Sequence, residues 1–165
     1  MLWMREPMQG LAASLVLLLP IGASLAQTVP SDRADLESAA GAGMATYAEL
    51  NGYPGPKHVL ELEDALRLSP EQKRAIELIF NHMKSEATAK GGQIIRKEEE
   101  LESLFRVGKA TEKEAERRAR EIGALRGELR AVHLRAHIKT HAILTPEQIK
   151  QYHTIRHGSH RETTR

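Results

Sequence analysis

The sequence predicts an all-α fold: an antiparallel hairpin of two long helices, each flanked by a short helix. Three observations carry that expectation. Two matching helix starts, Leu68-Ser69-Pro70-Glu71-Gln72 and Leu144-Thr145-Pro146-Glu147-Gln148, bracket the central part of the chain. Between them, apolar residues recur at three- and four-residue steps, the period of an amphipathic helix. One short break, Val107-Gly108-Lys109-Ala110-Thr111, separates the two runs, and so short a connection turns the second helix back along the first.

The first element is not part of that fold. Arg5 opens a short polar start, Leu11 to Leu19 is an apolar run, and Ser24-Leu25-Ala26 supplies the small residues of a cleavage site. Residues 1–26 therefore read as a signal peptide or, uncleaved, an N-terminal anchor, and in both cases the rest of the chain is exported. Residues 27–57 are rich in Gly, Ala, Ser and Pro and show no sustained apolar period. They read as a flexible linker, with one helical turn near Met44–Leu50. Asn51 to Pro56 is a stop signal before the next element.

The helical domain spans residues 58–158. A short helix, about His58–Arg67, comes first. The first long helix starts at Ser69, a hydroxyl N-cap with Pro70 at the first helical position and Gln72 placed to complete a capping box. Its apolar positions include Ile76, Ile79, Met83, Ala87, Ile94 and Leu101. Gly108 ends it, and Thr111 with Glu114 forms a second expected capping box. The second long helix carries Ala115, Ile122, Leu125, Leu129, Val132 and Ala136 on one face. Thr145 and Gln148 repeat the first cap and start a last helix over about Pro146–His157. Residues 159–165 read as a disordered tail.

The loop also sets a register. With the turn near residues 109 and 110, facing residue numbers sum to about 219. Gly91 and Gly92 then face Gly127, which allows a close crossing or a kink, and His82 lies opposite His137. Each helix has only a narrow apolar stripe, so a homodimer is expected.

Composition narrows the function. Lys and Arg number 24 against 22 Asp and Glu, a net charge of +2 that argues against a nucleic-acid partner. Cysteine is absent, which excludes disulfides, thiol catalysis and thiolate metal sites. No nucleophile–base pair, phosphate loop or HExxH motif is present, so the chain is not expected to be an enzyme.

The signal segment, the helical hairpin and the paired LSPEQ (68–72) and LTPEQ (144–148) resemble the LTxxQ proteins of the Gram-negative periplasm. These are the Spy/CpxP-like chaperones and the related heavy-metal sensor and resistance proteins. The first motif carries Ser for Thr, which keeps the hydroxyl cap. The resemblance implies a hooked hairpin that dimerises into a curved cradle. It also implies one of two activities: holding unfolded clients without ATP, or binding zinc, nickel, cobalt or copper.

Histidine separates those two. There are eight, six of them among the last 33 residues. His133, His137 and His141 are spaced i, i+4, i+8, about 6 Å apart along one helix face, so adjacent imidazoles can chelate one ion. The register adds His82 and Met83, and the hooked shape implied by the resemblance would bring His58 to the same end. The expected metal site is thus His82, His133, His137, His141 and His58, a thiolate-free set suited to zinc, nickel, cobalt or copper(II). In the family's metal sensors the late helix carries a His followed by a Met four residues on. Here the ladder has no Met, so those ligands do not transfer one for one. His153, His157 and His160 read as a weakly scavenging tail.

Arg126, Arg130, Arg135 and Lys139 form a basic stripe, most simply a solvated face and alternatively a client surface. The expected function is a periplasmic metal-binding sensor or resistance protein of the envelope stress response, working with a membrane-bound signalling partner. The alternative is an ATP-independent periplasmic chaperone that holds unfolded proteins.

Overall fold

A computed structural model describes residues 30–41 and 43–158. The expected signal or anchor segment and the 159–165 tail lie outside the described residues. Those residues form seven helices and no strand: α1 Arg33–Ser38, α2 Thr46–Leu50, α3 Pro56–Glu61, α4 Glu63–Leu66, α5 Pro70–Arg106, α6 Glu112–Ile143 and α7 Pro146–His157. The all-α hairpin expectation holds. Helices α5 and α6, of 37 and 32 residues, run antiparallel and pack along their length.

Local chemistry sets the helix ends. Ser69 Oγ accepts the Gln72 N–H at 3.1 Å while Gln72 Oε1 accepts the Ser69 N–H at 3.0 Å, a complete capping box. Thr145 and Gln148 repeat it at 3.2 and 3.0 Å. At the third cap only half the box forms: Thr111 accepts the Glu114 N–H, and the Glu114 carboxylate turns to Arg117 at 2.7 Å. The expected single helix over 58–67 is two helices, interrupted at Leu62.

The two cap glutamines also meet each other. Gln72 Nε2 donates to Gln148 Oε1 at 2.9 Å, and Gln148 Nε2 donates to Gln72 Oε1 at 3.1 Å. Each Nε2 donates once more, Gln72 to the Ile143 carbonyl and Gln148 to the Leu66 carbonyl. Every donor and acceptor of both amides is thereby used. Beneath this clasp lies a core of Val59, Leu66, Ile76, Leu144 and Tyr152. The clasp ties the open end of the hairpin shut.

The register falls near its expected value. Lys97 pairs with Glu121 at 3.4 Å, Arg135 with Glu86 at 3.2 Å, and Lys90 with Glu128. The glycine crossing does not form. Among the described residues nothing lies within 4 Å of the position a Cβ would take on Gly127, whereas one on Gly91 would lie 2.2 Å from the Leu36 carbonyl oxygen. Gly91 thus admits the backbone of α1, not that of α6.

That contact corrects the reading of residues 27–57 as a flexible linker. Over the described residues 30–41 and 43–57 the segment is an arm laid on the hairpin. Leu36 is buried in a second core with Met83, Ala87, Ile94, Leu129, Val132 and Ala136. Asp32 takes both ends of the Arg126 guanidinium, at 2.6 and 3.2 Å, and Arg126 also reaches Glu98 at 2.9 Å. Helices of six and five residues are too short to show a period, and a single Leu supplies the anchor.

Candidate metal-binding site

The arm meets the histidine ladder of α6 one residue at a time. His133 is 6% exposed, and its ring lies under Gly41, where a Cβ would come within 2.4 Å of the imidazole. Gly41 has φ +63°, so glycine serves here for both space and backbone. Burial, helped by His137, pushes the His133 pKa below its usual value and keeps the ring neutral. One ladder step on, His137 Nδ1 lies 2.7 Å from the Tyr53 carbonyl oxygen. A carbonyl only accepts, so Nδ1 carries a proton and donates it. His141 stacks on the Tyr53 ring, with centroids 4.5 Å apart.

Glu49, on α2, is the hub of this corner. Its carboxylate lies 3.7 Å from His137 Nδ1 and 3.4 Å from His58 Nδ1, and its side chain is 13% exposed. It accepts the Gly55 N–H at 3.3 Å and the Tyr152 hydroxyl, and it faces Arg156 Nε at 3.8 Å. Burial, reinforced by the Glu49 carboxylate, pushes the Tyr152 pKa well up, so the phenol stays protonated and donates. Arg156 Nη2 also lies 3.3 Å from His58 Nδ1.

The structure therefore gathers His137 and His58 around one carboxylate and leaves His133 close by. It does not bring His82 or His141 to them. His82 is 67% exposed, and its Nε2 lies 3.7 Å from Glu86 on its own helix. Among the described residues no three His, Asp or Glu side chains form a ready-made ion site. By type, a carboxylate and two imidazoles fit a borderline divalent ion, with the His137 nitrogen nearest Glu49 being the Nδ1 that donates to Tyr53. Glu49, Tyr53, Tyr152 and Arg156 escaped the sequence reading. The one available signal was the helical turn anticipated near Met44–Leu50, which contains Glu49.

A cavity of about 700 Å³ opens between arm and hairpin beside this corner. His58, His133, His137 and His157 line it, with Phe80 and Met83 among its apolar residues. Of the basic stripe, Arg126 is held by Asp32 and Glu98, and Arg135 by Glu86. Arg130 and Lys139 are exposed.

A hairpin closed by two hydroxyl-capped glutamine motifs, with imidazoles gathered at the closed end, defines a helical-hairpin protein of the LTxxQ type. A family model described as heavy-metal resistance matches residues 24–151, and the chain belongs to that family. The family lies in the Spy/CpxP-like group, typically periplasmic. No curated protein and no solved structure matches the chain.

Proposed function

We propose that the chain is an exported binding protein, not a catalyst, that takes zinc, nickel, cobalt or copper(II) through His137, His58 and Glu49 in envelope metal defence. The supporting observation is the Glu49 carboxylate, largely buried and within 3.7 Å of both imidazoles. A bound ion supplies positive charge that this carboxylate and the two imidazoles can share. The surrounding residues give the site a readout. Glu49 belongs to the arm, while Tyr152 and Arg156 belong to α7. A change of partner at Glu49 therefore alters how firmly the arm is held. In this reading the protein works as a homodimer and reports to a membrane-bound partner.

The holdase alternative has less support. Arg126 and Arg135 already spend their charge on Asp32, Glu98 and Glu86, and α1 covers the apolar groove of the hairpin.

Calorimetric titration of the purified protein with each of the four ions tests the reading. Glu49→Gln and His137→Gln are each expected to weaken binding at least tenfold, about 1.4 kcal/mol. His82→Gln should match the parent. Binding that survives both of the first two substitutions, or that His82→Gln removes, overturns the assignment.

A further inference from the structure

We propose that the cavity between the arm and the hairpin binds a small organic carboxylate with an apolar body. The volume, about 700 Å³, is in the range of small-molecule sites, which are mostly apolar with a few placed polar groups. Phe80, Met83 and Pro56 supply apolar wall. The charged lining is one-sided: Lys57, Lys84 and Arg156 stand against a single carboxylate, Glu49, which Tyr152 and Gly55 already engage. Lys57 has an exposed partner in Glu61 at 3.7 Å. Lys84 makes no ion pair with any described residue.

Two further groups lack partners. His133 Nε2 and His157 Nε2 are buried with no hydrogen-bond partner among the described residues, and both residues line the cavity. A buried polar atom left unpaired costs free energy, so each ring favours a ligand that pairs with it. A carboxylate offers acceptors to an imidazole whose Nε2 carries the proton and to the lysine ammonium, and its apolar body covers Phe80 and Met83. A bare cation gains nothing from Lys57 and Lys84. This ligand class is distinct from the metal, and neither Lys84 nor His157 takes part in the metal corner.

The test uses the whole purified protein, stripped of metal with a chelator, and octanoate as the probe. Octanoate should bind once per chain, and Lys84→Gln should weaken it about tenfold, the scale of a charged hydrogen bond. The same variant should bind zinc like the parent, which separates this proposal from the metal reading. The imidazole nitrogen resonances of His133 and His157 should move on octanoate addition while those of His82 stay. No binding of octanoate, equal binding of octylammonium, or equal binding of inorganic phosphate each overturns the proposal. So does octanoate affinity unchanged in Lys84→Gln.

Discussion

His133 shows how one contact fixes a residue's chemistry. Its neighbours in sequence place it at the edge of the α6 apolar face, and the arm, at Gly41, lies over its ring. Because its folded pKa is depressed below 6.5, the unfolded chain takes up the proton first. Its contribution to stability is complete above about pH 6.5 and is lost as pH falls from there through the lower folded value. Thermal unfolding between pH 7.5 and 5.5 should therefore show a falling Tm, with a shallower slope in His133→Asn. An unchanged slope in that variant would place the proton elsewhere. The same residue scale explains why His82 misled. Loop arithmetic gives a position along the helix axis, but not the direction around it. The buried line of α5 runs through Ile76, Met83, Ala87 and Ile94, and His82 is turned about 100° from Met83. Glu49 was hidden for a different reason: its role depends on a segment whose docking leaves no periodic trace.

Among the elements, the long helices and their caps were legible because a cap is a local event, a side chain bonding a backbone three residues away. The meeting of Gln72 with Gln148 was not, since it depends on how both caps pack over Tyr152 and Leu144. Gln148→Leu leaves the Gln72 amide short of partners and should cost about 1–3 kcal/mol in denaturant unfolding. The double variant with Gln72→Leu should cost less than the two single losses added together. Additive losses would show that the amides act independently. Gly91 offers an element-scale test of the arm. Gly91→Ala adds about 1 kcal/mol of helix propensity to α5 but puts a methyl against the Leu36 backbone. The expected result is an intact hairpin with a released arm, read as faster amide exchange over residues 33–50 and unchanged exchange in α6. Unchanged arm protection would mean that α1 can shift without leaving.

At the scale of the whole molecule, the proposed second copy has a testable place on α6. Added Cβ atoms at Gly123 and Gly127 would meet nothing within 4 Å among the described residues, although both glycines sit inside α6. If that face is free, alanine at either position should stabilise the protein by about 1 kcal/mol. If a second copy's helix packs there, the same changes should destabilise it and shift sedimentation toward the monomer. Metal should raise the Tm with concentration, as any ligand specific to the folded state does. The clasp at the base of the hairpin has a consequence for descent. Because Gln72 and Gln148 satisfy each other, a lineage that loses one keeps a stranded amide until the other is replaced. Across related chains the two positions should therefore be inherited or abandoned as a pair, even though they lie 76 residues apart.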